Sequence, residues 1–283
     1  MRGFLEPVRQ HLDARAPHLR PLYDVMAAEA RFARAWLDDD LRRLPEGAPI
    51  LEVGGGAFLL SYELAREGFA VTAIEPIGVG FGALEELGDA VLTIAARDGS
   101  APRVVRCNAE GFKSDEQFGF AFSVNVMEHV EDPGRAIERI SAALAPGGCY
   151  RFVCANYLFP YEPHFNIPTF GSKKLTERLL RNRIRSNTRA SDPIGLWESL
   201  NWITVPQVRR IAAADASLAV SFQRTTLSSM LERAVGDAEF AKRRAPWMVK
   251  AIALLRATRL LRLASMIPAA FQPIMDVRLT KVN

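Results

Sequence analysis

The sequence predicts an α/β fold built on a doubly wound, mostly parallel sheet with helices on both faces. From residue 50 onward, apolar strand-like runs alternate with helical patterns, which is typical of βαβ units. One of the predicted strand-to-helix turns is a run of three glycines. The chain has 283 residues, 49% of them hydrophobic and 24% charged, so it can bury a large core without disulfides or metals.

The first predicted element is an amphipathic helix. Residues 22–44 place apolar side chains at three- and four-residue spacings, the periodicity of a helix with one buried face. We therefore expect an N-terminal helical cap over residues 1–45 and a sheet core over residues 46–156. In that core the strand-like and helical runs alternate at 50–55, 59–68, 70–76, 91–96, 104–109, 120–126, 133–148 and 149–156.

The pattern changes after the core. Residues 157–216 contain a basic tract in which Glu177 is the one acid, and they predict an insert instead of a further sheet unit. The tract consists of Lys173, Lys174, Arg178, Arg181, Arg183, Arg185 and Arg189. Residues 217–283 predict two final strands, at 217–227 and 273–282, separated by an apolar and basic helical insert at 228–272.

Charge is divided unevenly along the chain. Residues 1–150 carry 15 Lys and Arg against 23 Asp and Glu, whereas residues 151–283 carry 21 against 9. The two halves are therefore expected to meet different partners or different parts of one ligand. Few aromatic residues interrupt the basic tract, so we do not expect a nucleic-acid partner.

The sequence also bears on the compartment. Cys107, Cys149 and Cys154 form no Cys-x-x-Cys pair, which favours buried thiols in a reducing environment. The N-terminus lacks the apolar run of a signal peptide. We expect a cytoplasmic protein, and the leucine-rich, basic residues 246–271 would suit peripheral contact with the inner face of the membrane.

A glycine-rich turn gives the strongest local signal. In ILEVGGGAFLLSYELAREGFAVTAIEP, a strand enters Gly54, Gly55 and Gly56, a helix follows, and a second strand ends at Glu75. Glycines let the backbone approach a ligand at a helix N-terminus, and an acid after the second strand can accept hydrogen bonds from a ribose. This pattern predicts an adenosine-containing cofactor.

Two neighbouring positions narrow the choice of cofactor. A dinucleotide fold needs a third glycine where this chain has Leu59. Glu52 lies two residues before the glycines, where a carboxylate would repel a pyrophosphate but attract an ammonium or sulfonium group. The loop therefore favours a positively charged cofactor over a nicotinamide dinucleotide.

These motifs resemble those of the class I S-adenosylmethionine-dependent methyltransferases, within the group that includes the ubiquinone-biosynthesis O-methyltransferases and methyltransferase-23-like proteins. The resemblance covers about residues 48–165. Residues 52–56 are similar to the first motif of that family, and Phe58 replaces its last glycine. The other matches are Glu75, Cys107–Glu110, residues 122–133 and residues 144–156.

The resemblance implies a Rossmann-like, seven-stranded sheet with an antiparallel last strand and helical inserts on the substrate side. It also implies S-adenosyl-L-methionine as the cofactor, with S-adenosyl-L-homocysteine as the product. Asn108 is expected to contact the adenine, although a helix cap is the alternative for this residue. The implied cofactor-binding residues are Glu52, Gly54, Gly55, Gly56, Phe58, Glu75, Pro76, Asn108, Ala109, Asn125, Val126 and Met127.

Methyl transfer to a hydroxyl group requires a base, so we looked for histidines at the carboxyl ends of predicted strands. His129 and His164 meet that criterion, and Tyr157 lies in the same aromatic loop as His164. A packed histidine at a helix start is the alternative for His129. A loop held by aromatic packing is the alternative for Tyr157 and His164. In the related O-methyltransferases an acid occupies the position of Asn125 and helps to bind a metal, so we expect no metal here.

We expect both inserts to build the pocket of a small-molecule acceptor that is anionic or lipophilic, and we expect no obligate protein partner. The predicted activity is methyl transfer to oxygen, on a small anionic or lipid-linked metabolite. Two alternatives belong to other classes: a catalytically silent binding or scaffold protein with the same fold, and an NAD-dependent oxidoreductase.

Overall fold

The computed structural model describes residues 3, 5–76, 82–188, 192–242 and 246–282. Arg189, the last residue of the basic tract, lies outside the described residues. Within them the chain forms a seven-stranded sheet with a hydrophobic core on each face. The predicted α/β class is confirmed.

The sheet has the strand order β3-β2-β1-β4-β5-β9-β8. Strands β1 to β5 run parallel to one another, and β9 runs antiparallel to both β5 and β8. The loops that follow β1 to β4 therefore meet at one edge of the sheet, where ligands bind in such folds. The strands are β1 Pro49–Val53, β2 Ala70–Ile74, β3 Arg103–Val105, β4 Phe118–Val124, β5 Leu144–Ala155, β8 Leu218–Gln223 and β9 Ile274–Lys281.

Four helices pack their buried side chains into the core on the first face of the sheet. The predicted helix at 22–44 corresponds to α2, and the apolar run at 91–96 lies in α4. Helix α1 lies within the helical cap predicted over residues 1–45, but its own bounds were not predicted; only two of its residues, Val8 and Leu12, are buried. The four helices are α1 Glu6–Arg15, α2 Arg20–Leu41, α3 Leu59–Arg66 and α4 Gly82–Asp98.

The second face is covered by α5 (Pro133–Ala142) and α8 (Val205–Ala213). The helical pattern predicted for 133–148 ends at Ala142, because the chain then enters β5 through a bulge. Phe118 of β4 pairs with Leu144, but Phe120 pairs with Cys149. A Cβ at Gly148 would lie 2.8 Å from the carbonyl oxygen of Ala145, so this bulge requires glycine.

The predicted insert at 157–216 divides into two parts. Its first part forms a short hairpin and two helices around a separate small core that includes Phe165 and Trp197. Its last part contains α8, which packs on the sheet instead. The elements of the first part are β6 Tyr161–Glu162, β7 Ile167–Pro168, α6 Lys173–Arg185 and α7 Pro193–Ser199.

The predicted helical insert at 228–272 is helical where the structure describes it. It consists of α9 Thr226–Gly236, α10 Ala238–Lys242, α11 Pro246–Ala257 and two short 3-10 helices, Leu260–Met266 and Ala269–Phe271. A fourth small core joins α9, α10 and α11. Among the described residues, none of the helices combines the length and apolar character needed to cross a bilayer.

A buried ionic network fixes α2 against the sheet. The Arg151 guanidinium donates to Asp276 at 2.6 and 3.0 Å and to Asp40 at 2.7 Å. The Trp36 indole donates to the same Asp276 at 2.7 Å, and its ring lies 4.1 Å from the Arg151 guanidinium carbon. Buried charges need such complete pairing. The network therefore sets the position of α2 relative to β5 and β9.

Candidate functional site

A cleft of about 800 Å³ lies at the edge of the sheet where β1 to β4 end. Helix α2, the loops after these strands, and α7 form its walls. Phe58 instead lines an adjoining pocket of about 40 Å³. Met127, Tyr157 and His164 do not line the cleft. The predicted site residues that do line it are Glu52, Gly54, Gly55, Gly56, Glu75, Pro76, Asn108, Ala109, Asn125, Val126 and His129.

The structure explains why the loop after β1 has glycine at positions 54 and 56. Gly54 has φ +78°, and a Cβ there would lie 2.3 Å from a methyl group of Val126. Gly56 has φ +52° and would meet nothing within 4 Å. Phe58 is the N-cap residue of α3 and is 1% exposed. Its ring fills the space beside Gly55. The loop is therefore held tightly at Gly54 and open at Gly56.

Glu75 lies directly after β2 and closes the loop from the other side. Its Oε2 accepts a 2.9 Å hydrogen bond from the backbone N–H of Gly56, which leaves Oε1 as an acceptor toward the cleft. Burial raises the pKa of Glu75, while the Gly56 N–H and the nearby Arg106 oppose that shift. The carboxylate is thus already oriented before any ligand binds.

Glu52 is almost fully buried, with 6% exposure. It accepts a hydrogen bond from the hydroxyl of Ser61 in α3, a residue that no sequence motif marks. Burial raises the pKa of Glu52 to about 8, and the charge of Glu75 adds to the shift. A positive charge in the cleft would favour the ionised form of this carboxyl.

The loop after β3 contains Asn108 and Glu110. The side-chain oxygen of Asn108 accepts from the backbone N–H of Gly111 at 3.0 Å, so the capping role considered for this residue is present. Oε1 of Glu110 accepts from the backbone N–H groups of Glu131 and Asp132 at 2.6 and 3.1 Å. Glu110 therefore ties this loop to the one after β4, a role that the sequence analysis missed.

The segment after β4 contains the predicted site residues Asn125, Val126 and Met127. Asn125 has φ +56°, and its backbone N–H donates to the Val153 carbonyl at 2.8 Å. The Met127 side chain is fully buried in the core on the second face and does not line the cleft. Val126 lines the cleft, whereas the side chain of Met127 packs in the core.

His129 lies on the wall of the cleft. Its Nδ1 is 2.9 Å from Oγ of Ser199, and Ser199 donates its own proton to the Leu196 carbonyl. Nδ1 must therefore carry the imidazole proton, which leaves the lone pair on Nε2. Burial lowers the pKa of His129 to about 4, and the charge of His164 adds to the shift.

The side-chain amide of Asn201, a residue that was not predicted to belong to the site, fixes the segment that carries His129. Nδ2 of Asn201 donates to the carbonyls of Met127 and Val130 at 2.7 and 2.8 Å. The backbone N–H of Asn201 donates to the Glu128 carbonyl at 2.8 Å. No sequence motif marks this residue, because its partners lie about 70 positions earlier in the chain.

Tyr157 and His164 meet at the fully buried Glu162. Oε1 of Glu162 accepts from the Tyr157 hydroxyl at 3.2 Å and lies 2.6 Å from Nδ1 of His164. Burial and the neighbouring Glu162 raise the pKa of Tyr157 far above its ordinary value. Tyr157 also stacks on Trp202. These contacts remove Tyr157 from the cleft and make it part of the packed loop.

His164 nevertheless reaches His129, since the two ring centroids are 5.2 Å apart in an edge-to-face arrangement. Glu128 lies next to both and is 1% exposed. Its Oε2 has no hydrogen-bond partner among the described residues, and burial raises its pKa to about 7.

These three side chains could also hold a metal ion. One atom each of Glu128, His129 and His164 lies within 4.8 Å of the others, and carboxylate and imidazole groups are common ligands of divalent ions. Asn125 supplies no further carboxylate at this position. The absence of a metal therefore stays a prediction.

Helix α2 forms the part of the cleft wall that we expected the second insert, residues 228–272, to form. Met26, Glu29, Ala30 and Ala33 line the cleft, whereas no described residue of 226–282 does. Arg233 of α9 forms a bidentate ion pair with Glu29 at 2.9 and 3.1 Å. The second insert thus supports the wall from behind, while the first insert contributes α7 directly.

The strand order, the antiparallel last strand, the glycine loop after β1 and the acid after β2 define the class I S-adenosylmethionine-dependent methyltransferase fold. A family model for the methyltransferase domain matches residues 26–169. The chain belongs to this methyltransferase family, so the resemblance seen in the motifs is confirmed.

Relatives and solved structures agree with this assignment. The uncharacterized protein Rv1509 of Mycobacterium tuberculosis is 59% identical over 99% of this chain and 95% of its own. A ubiquinone biosynthesis O-methyltransferase of Paramagnetospirillum magneticum is 36% identical over 43% of this chain and 45% of its own. Phosphoethanolamine N-methyltransferase 2 of Haemonchus contortus shares the fold, with a TM-score of 0.51 and 16% identity over 98% of this chain and 60% of that chain.

Proposed function

We propose that this protein transfers the methyl group of S-adenosyl-L-methionine to the oxygen of a small, largely apolar or lipid-linked hydroxyl compound. One observation supports the proposal above all. The glycine loop, Glu75 and His129 all line the same cleft. Its volume of about 800 Å³ is sufficient for a cofactor and an acceptor together.

The residues present fit the cofactor. The open face of Gly56 admits a close ligand, and the free Oε1 of Glu75 can accept from the two hydroxyl groups of a ribose. Glu52 provides negative charge for a cationic ligand, in agreement with its place in the first motif. S-adenosyl-L-methionine supplies an electrophilic methyl group on a sulfonium ion. The chain's own task is to orient the acceptor and to take up its proton.

His129 is the base in this proposal. Its pKa of about 4 keeps the imidazole neutral at pH 7, and the hydrogen bond to Ser199 leaves the lone pair on Nε2. That nitrogen can accept the proton of an acceptor hydroxyl as the oxygen attacks. The new bond joins the acceptor oxygen to the methyl carbon, and the carbon–sulfur bond breaks.

Tyr157 and His164 act as positioning residues. Both bind Glu162, and the edge-to-face contact with His164 limits the rotation of the His129 ring. Removal of His164 is therefore expected to change turnover through the orientation of His129. Tyr157 does not contact an acceptor in this proposal.

The charges of the cleft favour a neutral acceptor over the anionic one expected from the sequence. Among the described lining residues there is no Lys or Arg. The carboxyl side chains on the wall are Glu29, Glu52, Glu75, Glu110, Glu131 and Asp192. An anion would meet repulsion there without a compensating cation. The described residues of the basic tract that suggested an anionic acceptor lie on α6 and do not line the cleft.

The same carboxyl groups support a second candidate, methyl transfer to an amine. Most of these acids already have partners, since Glu29 binds Arg233 and Asp192 caps α7. These two carboxyl groups are therefore less available to an ammonium group of an acceptor. We rank oxygen above nitrogen for that reason.

Calorimetric titration with S-adenosyl-L-methionine, and separately with S-adenosyl-L-homocysteine, tests the proposal first. Micromolar binding of either supports it and justifies screening of phenols, quinols and amines as acceptors. No binding by a folded sample would favour the silent scaffold. The nicotinamide alternative would require a glycine where Leu59 is buried in the core, and titration with NADH provides its control.

A further inference from the structure

The C-terminal helical segment exposes an unusually apolar surface. Eight of the fourteen exposed large hydrophobic residues of the described chain lie between positions 247 and 271, so exposed apolar side chains are concentrated in this segment. We call these eight side chains the docking surface. It consists of Trp247, Leu254, Leu255, Leu260, Leu263, Met266, Ile267 and Phe271.

The segment is fixed to the protein by its other side. Ile252 and Leu261 are buried in a small core with Ala234 and Phe240. The hydroxyl of Ser228 donates to the Leu261 carbonyl at 3.3 Å. The exposed apolar side chains therefore sit on an anchored element, and soluble proteins seldom leave a surface of this kind without a partner.

The charges within the segment that carries the docking surface all have one sign. Lys250, Arg256, Arg259 and Arg262 are exposed, and the sequence contains no Asp or Glu from 246 to 275. None of these four cations forms an ion pair with a described residue. An occupant that is both apolar and anionic would satisfy the leucines and the arginines together.

The dimensions of the segment suit a position parallel to a membrane. Helix α11 has 12 residues and is roughly 18 Å long at about 1.5 Å per residue, shorter than the ~30 Å hydrocarbon core of a bilayer. At Arg259 the backbone has φ +62° and the chain turns into a 3-10 helix. Two short elements with arginines between exposed leucines can lie at the level of the lipid headgroups.

We propose that residues 246–271 dock this protein on the surface of an anionic lipid bilayer. The apolar side chains of the docking surface enter the boundary between headgroups and acyl chains, and the four basic side chains contact lipid phosphates. A protein partner with an acidic rim is the competing occupant. The lipid surface fits better because all four cations lie within 13 residues of an otherwise apolar segment. This binding does not depend on the proposed methyl transfer.

The test uses the full chain with vesicles of phosphatidylcholine alone, or of equal parts phosphatidylcholine and phosphatidylglycerol. We expect sedimentation with the anionic vesicles at low salt, and release as salt rises. Tryptophan emission gives a second readout. Trp247 is 70% exposed, Trp197 is buried, and Trp36 and Trp202 are half-buried. A blue shift that Trp247→Phe removes, while sedimentation persists, would locate the contact at the docking surface.

Two double variants separate the two contributions to binding. Leu254→Ser with Leu263→Ser removes apolar contact, and Arg256→Gln with Arg262→Gln removes charge. Each pair is expected to weaken binding to anionic vesicles about tenfold or more. Leu179→Ser with Arg181→Gln, on the exposed side of α6, is the matched control and should bind as the wild type does. Circular dichroism verifies that each variant is folded.

Several results would overturn the proposal. They are the absence of sedimentation with anionic vesicles at low salt, equal binding by the wild type and both double variants, or an equal loss in the α6 control. Analytical ultracentrifugation tests whether a second copy of the chain occupies the docking surface instead. A dimer that the docking-surface variants dissociate, in a protein that binds no vesicles, would assign this surface to a second copy of the chain. Since no step requires a cofactor, failure here leaves the proposed methyl transfer untouched.

Discussion

Nδ1 of His129 lies 2.9 Å from Oγ of Ser199, although 70 residues separate them. The contact joins the segment after β4 to α7 of the first insert. Since Ser199 donates to the Leu196 carbonyl, it can only accept from the imidazole. The insert therefore selects the histidine tautomer as well as forming part of the cleft wall.

This relationship predicts the effect of two substitutions. His129→Gln is expected to lower kcat by about 100-fold, the usual contribution of a general base, without a change in the Kd for S-adenosyl-L-methionine. Ser199→Ala should give a smaller loss of kcat, because the imidazole remains but its tautomer is no longer fixed. Turnover of an identified acceptor and calorimetry of the cofactor measure the two effects. His18→Gln, at an exposed histidine, is the control, and full activity of His129→Gln would rule out this residue as the base.

Glu75 is expected to contribute to the affinity for the cofactor. Glu75→Ala should weaken binding of S-adenosyl-L-methionine by roughly 1.5–3 kcal/mol, the range of hydrogen bonds to charged groups. The same titration on Glu46→Ala, an exposed acid before β1, should give the wild-type Kd. If both variants bind equally well, the ribose does not lie at Glu75.

The titration of Glu52 should make the free energy of unfolding depend on pH. Its pKa in the folded protein, about 8, lies above the ordinary value of 4.5. Between these two pH values the folded protein holds more protons than the unfolded chain, so the contribution of Glu52 to the free energy of unfolding falls as pH rises. Glu52→Gln removes this titration. Urea denaturation at about pH 5 and about pH 8 should show the variant gaining stability relative to the wild type at the higher pH.

The same carboxyl predicts proton release on cofactor binding. A positive charge in the cleft favours the ionised form of Glu52, so binding of the cofactor should lower the pKa of this carboxyl. The affinity for the cofactor should therefore increase as pH rises toward 8. Calorimetry in two buffers with different ionisation enthalpies measures the released protons. Glu52→Gln should release fewer; equal release by both proteins would exclude Glu52 as the source.

The ion pair between Arg233 and Glu29 should support the cleft wall. The Arg233 side chain is 6% exposed, and Arg233→Met breaks its ion pairs with Glu29 and Asp237, so this variant is expected to lose about 2 kcal/mol of unfolding free energy. Arg103→Met breaks an exposed pair with Glu116 and should cost less than about 1 kcal/mol. Urea denaturation compares the two. A similar small loss in both variants would show that α9 does not brace α2.

Metal dependence can be tested at Glu128, His129 and His164. We predict that dialysis against a chelator leaves turnover unchanged, because a neutral imidazole can take up the acceptor proton unaided. Titration of the dialysed protein with Mg²⁺ and Zn²⁺ gives a direct measure of binding. Activity that is lost with the chelator and restored by either ion would contradict the prediction.

The sequence by itself determined the sheet and the cofactor side of the cleft. Alternating apolar runs, three adjacent glycines and Glu75 are local signals, and each lies within a few residues of the strand end or turn that it specifies. The α/β class and the parallel sheet followed from them, whereas the antiparallel last strand was implied by the resemblance to the methyltransferase family. The bounds of α1 within the helical cap could not be predicted, because a helix with so few buried residues has almost no apolar periodicity.

Only the tertiary structure decided the acceptor side. Ser199, Asn201 and Glu162 act on the two histidines through contacts that no spacing in the sequence records, because folding brings these residues together from separate segments. The side chain of Met127 packs in the core, and α2 took the place on the cleft wall that the second insert was expected to fill. Local periodicity determines which residues form an element, whereas long-range packing determines which of its side chains reach the ligand.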